Sequence, residues 1–265
     1  MYLHFCLRTH LNGALDREKR KAIKDESKYW EDGEVYYEPI PDTFTNERKK
    51  TIRAAMDHWE KYTCLKFKES SWAMHRIYFE YHENQCNSMV GQQSNWYNWV
   101  GVSSRQRIRL ADWCKLGSIV HEIGHAIGWY HEQSRPDRDQ YLTIDWSKIP
   151  SNWKNNYREG NNIDYFNVRY DYKSVMHYGS VLLGKTVLLP KKDVIIGQRV
   201  GLSYRDIMLA NRQYRCAESK FYVITFNFLD IKDRGNHTFL SNESNMSLQG
   251  LLSCILNHNC LFKGI

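Results

Sequence analysis

An eleven-residue run of histidine, glutamate and glycine at fixed spacing constrains this chain more than any other feature. The run is His121-Glu122-Ile123-Gly124-His125-Ala126-Ile127-Gly128-Trp129-Tyr130-His131, which reads H-E-x-x-H-x-x-G-x-x-H. On a helix, His121 and His125 leave the same face one turn apart, so both imidazoles can bind one Zn²⁺. Gly128 lacks a Cβ and permits a left-handed turn that returns His131 as a third ligand. Three protein ligands leave a position for water, which is typical of catalytic zinc, and Glu122 can act on that water as a base.

The residues beyond this run resemble one family of zinc peptidases. The segment Glu132-Gln133-Ser134-Arg135-Pro136-Asp137-Arg138-Asp139 is similar to the extension of the motif in the astacin family of metzincin endopeptidases. The segment Ser174-Val175-Met176-His177-Tyr178 resembles that family's Met-turn. Neighbouring metzincin families usually follow the third histidine with Ser, Asp or Pro, so Glu132 favours astacins. The resemblance covers about residues 22–216, and we expect a nematode-type member.

The resemblance implies an α+β, zincin-like fold. A mixed twisted sheet and two long helices would form an N-terminal subdomain, and a mostly irregular C-terminal subdomain would end in a helix. The residues themselves predict a helix from Asn46 to about Tyr62, capped by Thr45. They also predict a zinc helix that begins at Leu116 and ends at Tyr130. The S-x-x-D pattern of Ser203 and Asp206 predicts the start of the last helix.

The resemblance also assigns roles around the zinc. Glu122 would be the general base for attack of water on a peptide carbonyl, and no covalent acyl-enzyme would form. Tyr178 would bind zinc in the resting enzyme and then hydrogen-bond the oxyanion. Met176 would form an apolar floor under the zinc without binding it. Glu132 would reach the ammonium of a mature amino terminus at Ala22.

A protein or peptide substrate is expected to bind in extended form beside the zinc helix. The run that begins at Gln106 and ends at Ala111 alternates polar and apolar residues. In metzincins the strand before the zinc helix is the sheet edge that pairs with substrate, so we expect a peptide to add there as another strand.

The stretch between Tyr178 and Ile196 is shorter than is common in astacins, where it helps to build the pocket for the residue after the cut. A catalytically impaired astacin-like protein that only binds zinc or peptide is therefore the alternative to an active endopeptidase. A modest preference for Asp or Glu after the cut is expected if one of four cations lines the pocket: Lys185, Lys191, Lys192 or Arg199.

Residues 1–21 resemble the remnant of a propeptide, and the basic run Arg17-Glu18-Lys19-Arg20-Lys21 is a plausible cleavage site. The F-x-G-D motif that keeps many astacins latent is not found. The family is typically secreted, yet no signal peptide is visible, so we expect the amino terminus to be truncated. Residues 217–265 form a tail of unknown fold, either a small appendage or a misassigned gene end. It carries three glycosylation sequons, at Asn236, Asn242 and Asn245.

Two disulfides are implied by the resemblance, Cys64–Cys216 and Cys86–Cys114, and they agree with a secreted protein. Of the three further cysteines, Cys254 and Cys260 are close enough in sequence to pair with each other, and Cys6 has no evident partner. The net charge of +7 indicates a solvated basic surface and not a nucleic-acid binder. No stretch approaches the ~20 apolar residues of a membrane span.

Overall fold

The computed structural model describes residues 21–94, 103–160, 163–164 and 166–216. The three sequons, Cys6, Cys254 and Cys260 lie outside the described residues, as do nearly all of the predicted propeptide remnant and the whole predicted tail. Among the residues that are described, no helix combines the length and the apolar character needed to cross a bilayer.

Short strands are connected by three α-helices in the described part of the chain. The helices are α1 (Asn46–Tyr62), α2 (Leu116–Ala126) and α3 (Tyr204–Gln213). The strands are β1 (Ala22–Ile23), β2 (Glu34–Tyr37), β3 (Lys66–Glu69), β4 (His75–Tyr81), β5 (Cys86–Ser88), β6 (Ser104–Leu110), β7 (Leu142–Ile144), β8 (Ile163–Asp164), β9 (Val181–Leu182), β10 (Lys185–Thr186) and β11 (Leu188–Pro190).

The main sheet has five strands in the order β3-β2-β4-β6-β5. The first four strands run parallel to one another, and β5 runs antiparallel to β6. After α2 the chain forms only two-residue and three-residue strands and 3₁₀ turns until α3. The predicted mixed sheet, the two helices that accompany it and the mostly irregular second half are thereby confirmed.

Helix α1 begins and ends where its sequence predicts. The Thr45 hydroxyl accepts a hydrogen bond from the Arg48 amide at 3.2 Å, which satisfies one of the free donors at the helix start. Its apolar stripe is buried and includes Trp59, whose indole N–H donates to the Val120 carbonyl of α2 at 3.1 Å. This contact holds the two long helices together in the core under the sheet.

Both implied disulfides are present. Cys64–Cys216 joins the second residue after the end of α1 to the segment that follows α3, and Cys86–Cys114 joins β5 to the loop before α2. The first closes a span of 152 residues, so it ties the last helix to the first half of the domain.

The prediction that the run from Gln106 to Ala111 is the sheet edge is wrong. Strand β6 lies inside the sheet, because it pairs with β4 on one side and with Cys86–Ser88 on the other. Alternation of polar and apolar residues shows that one face of a strand is buried, but it carries no information about neighbours in the hydrogen-bonding direction. The edge beside β6 is β5.

Candidate active site

The turn after α2 brings the third histidine back to the first two. The helix ends at Ala126, earlier than the predicted Tyr130, and Gly128 adopts a φ of +104° that L side chains rarely reach. The Trp129 amide donates to the Gly124 carbonyl at 2.9 Å, and a Cβ at position 128 would lie 2.8 Å from Ile23. Gly128 is therefore required by both its conformation and its packing.

The three histidines converge as their spacing predicts. One ligand nitrogen from each lies within 4.8 Å of the others, and the Nε2 atoms of His125 and His131 are 3.1 Å apart. His121 Nδ1 donates to the Val175 carbonyl at 2.8 Å, and His125 Nδ1 donates to the Trp129 carbonyl at 2.7 Å. Because a carbonyl can only accept, these bonds place the proton on Nδ1 and leave Nε2 as a lone-pair donor.

The charges at these side chains suit a metal site. Burial lowers the pKa of His125 to about 4, and burial with the neighbouring imidazoles lowers the pKa of His121 and His131 well below the usual value. All three rings are thus neutral near pH 7, which is the form that binds a metal.

Glu122 lies beside the histidines with an unsatisfied carboxylate oxygen. The residue is 5% exposed, and among the described residues no hydrogen-bond partner reaches its Oε2. Burial raises the pKa of Glu122 to about 8, and the positive charge of Arg199 opposes the shift. A bound divalent cation would favour the ionised carboxylate still further. Three neutral imidazoles and an unpaired carboxylate are the donor set that suits zinc and its water, so the residues fit the metal.

The Met-turn packs directly under the zinc helix. A Cβ on Gly124 would lie 2.7 Å from Met176 Sδ, so a side chain at position 124 would displace the Met176 thioether. The Met176 carbonyl accepts a hydrogen bond from the Glu132 amide at 3.1 Å. The ring of Tyr178 lies 4.2 Å from that of His131, and its backbone amide donates to Gln133 Oε1 at 3.1 Å. Burial raises the pKa of Tyr178 to about 12, so the phenol keeps its proton and can donate it.

A buried acidic cluster lies behind the histidines. Glu132 is fully buried, and its Oε1 accepts hydrogen bonds from the Asp171 amide at 2.8 Å and from Arg135 Nη1 at 3.2 Å. Its Oε2 lies 3.1 Å from Lys21 Nζ, as an ion pair without hydrogen-bond geometry. In this chain Lys21 precedes Ala22, so Ala22 has no free ammonium. The ammonium beside Glu132 is that of the Lys21 side chain. The predicted contact of Glu132 with a free Ala22 ammonium remains a prediction for a processed chain.

Among the four cations predicted for the substrate pocket, Arg199 is the one that acts on the site. Lys185, Lys191 and Lys192 are exposed. Arg199 is partly buried, and its Nη1 donates to the His177 carbonyl at 3.0 Å. Its positive charge opposes the upward pKa shift that burial gives Glu122, and it adds to the downward shift that burial gives the three zinc-site histidines. The carbonyl of Arg199 packs on Gly117 of α2, where a Cβ would lie 1.7 Å from that oxygen.

Several residues at this site carry no local sequence signal. Lys21, Gly117 and Gln133 act through partners that are distant in sequence, and their types are common at the surface of any protein. Gly124 lies inside the motif but at a position that the pattern leaves open. A glycine within a helical run is a weak sign of close packing, and it is the one signal that could have identified Gly117 and Gly124.

Comparisons with known proteins agree with this geometry. Residues 22–215 match the family model described as Astacin, a family of peptidases. The chain is 38% identical to Protein SpAN of Strongylocentrotus purpuratus over 218 residues, covering 76% of this chain and 33% of the relative. It is 34% identical to Zinc metalloproteinase dpy-31 of Caenorhabditis elegans over 210 residues, covering 75% of this chain and 34% of the relative.

One solved structure is similar over almost its full length. High choriolytic enzyme 1, a hatching enzyme zinc-protease from Oryzias latipes, superposes with a TM-score of 0.65 at 28% identity, covering 74% of this chain and 99% of that structure. The chain spans about a third of the length of the two sequence relatives. Identity to the nematode relative does not exceed identity to Protein SpAN, so the comparisons do not distinguish a nematode-type member.

Proposed function

Because the chain belongs to the astacin family of peptidases, we propose that it is a secreted zinc endopeptidase that hydrolyses internal peptide bonds of protein substrates. The observation that carries the proposal is the convergence of His121, His125 and His131 beside the unpaired carboxylate of Glu122. The two disulfides are in keeping with the secretory pathway.

The three histidines would hold one zinc ion through Nε2 of His121 and His125 and through His131. When bound, zinc supplies Lewis acidity, which makes water more acidic and polarises a substrate carbonyl. Glu122 takes the proton from the attacking water and passes it to the leaving amine. The protonated phenol of Tyr178 donates a hydrogen bond to the oxygen that becomes negative in the transition state.

The peptide would bind along β5, not along β6. No described strand pairs with the outer side of Cys86–Ser88, so its backbone can accept an extended peptide as a further strand. The segment after β5 leads to the metal site, because the Gly91 amide donates to the His125 carbonyl at 2.9 Å. A peptide on this edge therefore lies beside the zinc helix.

The experiment that tests the proposal compares the Glu122→Gln variant with the unsubstituted chain. Hydrolysis of a fluorogenic peptide and zinc content are measured in the same samples. Glutamine keeps the shape but cannot take a proton, so turnover falls by about 10²–10⁴-fold with zinc retained. Glu69→Gln, at an exposed carboxylate of β3, is the matched control and leaves turnover unchanged. Near-normal turnover by zinc-loaded Glu122→Gln contradicts the role. No hydrolysis by the zinc-loaded original chain favours the alternative of a catalytically impaired binding protein.

For substrate preference we propose that Arg199 selects Asp or Glu at the residue after the cut. Its partly buried guanidinium can pair with a carboxylate at low exposure to water, where such a bond is selective. The test uses two peptides that differ only by Glu or Gln at that position. The expected ratio of kcat/KM is about tenfold, since a charged hydrogen bond contributes roughly 1.5–3 kcal/mol before screening. Arg199→Met abolishes the ratio and Lys192→Met, at an exposed cation, preserves it. Equal kcat/KM values for the two peptides contradict this assignment.

A further inference from the structure

The outward face of the main sheet gathers cations that the proposed reaction does not use. Partners in a parallel ladder share a face, so the register of β4 and β6 places Arg76 beside Arg105 and Tyr78 beside Arg107. The inward side chains of these strands pack with α2 in the core, so the outward face lies on the other side of the sheet from the zinc helix. Its charged side chains are six cations and three carboxylates: Lys66, Lys68, Arg76, Arg105, Arg107 and Arg109, with Glu34, Glu38 and Glu80.

One carboxylate on this face serves two arginines that stand side by side. Glu38 Oε1 accepts hydrogen bonds from Arg76 Nε at 2.7 Å and from Arg105 Nε at 2.6 Å, and Glu38 Oε2 accepts one from Arg105 Nη2 at 2.7 Å. Like charges opposite each other in a sheet are destabilising. Because Glu38 carries one negative charge, this pair of arginines keeps a surplus positive charge near the surface.

Arg107 and Lys66 carry charges that no described carboxylate holds closely. The Arg107 side chain is 48% exposed, and its Nη1 lies 3.9 Å from Glu80 Oε2, which accepts a hydrogen bond from Arg109 Nε at 2.8 Å. Lys66 is exposed and forms no ion pair with any described residue. Six cations against three carboxylates leave the face with a surplus of positive charge, in a chain whose whole net charge is +7.

Tyr78 lies between these cations and beside a depression in the surface. The guanidinium carbons of Arg105 and Arg107 lie 4.5 Å and 5.8 Å from the centre of the Tyr78 ring. The depression has a volume of about 360 Å³, at the lower end of the range for ligand sites, and its wall includes Tyr78 and Arg105. Glu38 and Glu80 also line it, and both are already bonded to arginines. A sugar ring can therefore pack against Tyr78 while its anionic groups meet guanidinium groups.

The arrangement favours a linear polyanion over an acidic peptide. The backbones of β4 and β6 pair with strands on both sides, so this face presents side chains and offers a peptide no main-chain hydrogen bonds. Arg105, Arg107 and Arg109 recur at every second residue of β6, about 6–7 Å apart along the strand. A guanidinium group binds the oxygens of a tetrahedral oxyanion as a fork, so such a row suits a polymer with repeated anionic groups.

We propose that the outward face of the main sheet binds a sulfated polysaccharide, with Lys66, Arg105 and Arg107 as its principal cations. The choice of sulfated sugar over nucleic acid rests on the proposed secretion, since sulfated polysaccharides are abundant polyanions outside cells. The contacts lie across the sheet from α2, so binding leaves the zinc site free and holds the enzyme on extracellular material.

The test measures the Kd of a heparin-derived oligosaccharide for the full chain by isothermal titration calorimetry at several salt concentrations. Lys66→Gln combined with Arg107→Gln is expected to raise the Kd by about 5–30-fold, the loss of two exposed charge contacts, and to weaken its dependence on salt. Lys154→Gln combined with Lys192→Gln is the matched control. It removes the same charge from exposed lysines outside the main sheet, and the Kd is expected to change by less than about twofold because distant charges are screened.

A further pair of measurements separates binding from folding. Lys66→Arg combined with Arg107→Lys keeps both charges and is expected to keep most of the affinity. All three double variants replace exposed side chains, so their melting temperatures are expected to lie within about 2 °C of the original. These readouts need no hydrolysis, so their failure is distinct from failure of the proposed function.

The competing explanations each give a result that overturns the proposal. Equal losses for the Lys66 and Lys154 double variants would mean that net charge alone attracts the polymer. Unchanged affinity of the Lys66 double variant would place the binding site elsewhere in the chain. A desulfated oligosaccharide that binds as tightly would exclude recognition of sulfate. Polyglutamate or phosphatidylserine vesicles that bind as tightly, and lose binding with Lys66 and Arg107, would show that the face serves an acidic protein or a membrane.

Discussion

Gly117→Ala adds one methyl group where α2 meets the chain that follows the Met-turn. The new Cβ would lie 1.7 Å from the Arg199 carbonyl oxygen, 2.4 Å from its carbonyl carbon and 3.0 Å from its Cα. All three atoms are backbone, so no side-chain rotation can relieve the contact. The Arg199 carbonyl must retreat by about 1.7 Å to restore ordinary van der Waals distance.

The cost of this displacement sets the expected loss of stability. Overpacking a well-packed site typically costs 1–3 kcal/mol. Because this clash is with backbone atoms, we place its cost at the upper end of that range, about 3 kcal/mol. Alanine is preferred over glycine in a helix by up to about 1 kcal/mol, which offsets part of the cost. The free energy of unfolding is therefore expected to fall by about 2 kcal/mol, which lowers the melting temperature by about 4–8 °C in a domain of this size.

The assay is thermal unfolding of the full chain, followed by circular dichroism. Gly179→Ala is the matched control, because the nearest atom to its new Cβ is the Ile196 carbonyl oxygen at 4.0 Å. The control is expected to melt within about 1 °C of the original chain. If Gly117→Ala has the same melting temperature as the control, the Arg199 carbonyl does not pack against Gly117 as described. If it melts lower and Arg199 is displaced, the tenfold preference for Glu over Gln also declines.

Three further substitutions test other parts of the structure. Tyr178→Phe keeps zinc and lowers kcat by about 10²–10³-fold with a smaller change in KM; an unchanged kcat with a raised KM would show a residue that only binds substrate. Replacing Cys64 and Cys216 by alanine releases a span of 152 residues, which lowers the melting temperature by roughly 10–20 °C, since chain entropy assigns such a loop about 5 kcal/mol; an unchanged melting temperature would rule out the disulfide as a stabilising link. Thr45→Ala removes the cap of α1, worth about 1 kcal/mol, and lowers the melting temperature by about 2–4 °C, while no shift would mean that the cap adds nothing.

Features encoded in neighbouring residues could be predicted from the sequence. Helix α1 follows from the Thr45 cap and its apolar stripe, and α3 follows from the capping box of Ser203 and Asp206. The zinc-site histidines are four and six residues apart, so helix and turn geometry alone brings them together. The disulfides came from the family resemblance and not from the residues.

Features that depend on distant pairing could not be predicted in this way. The edge strand was assigned to the wrong segment because the family resemblance was taken to place the edge at the strand before the zinc helix, and the alternation of that segment shows a buried face and not which strands are neighbours. Lys21 stands in a basic run that reads as a cleavage site, and only the fold brings it to Asp206, 185 residues away. The sequence could not select Arg199 over Lys185, Lys191 and Lys192 as the pocket cation. Burial distinguishes Arg199 from the three lysines, and burial depends on the fold.

The most direct measurement removes zinc from the full chain by chelation and returns it in steps, while bound zinc and peptide hydrolysis are measured on each sample. The site of His121, His125 and His131 predicts that hydrolysis disappears with the metal and returns in proportion to zinc, reaching its maximum at one zinc per chain. Hydrolysis that persists in the zinc-free chain would contradict a zinc peptidase. Full zinc binding by a chain with all three histidines replaced would contradict the site.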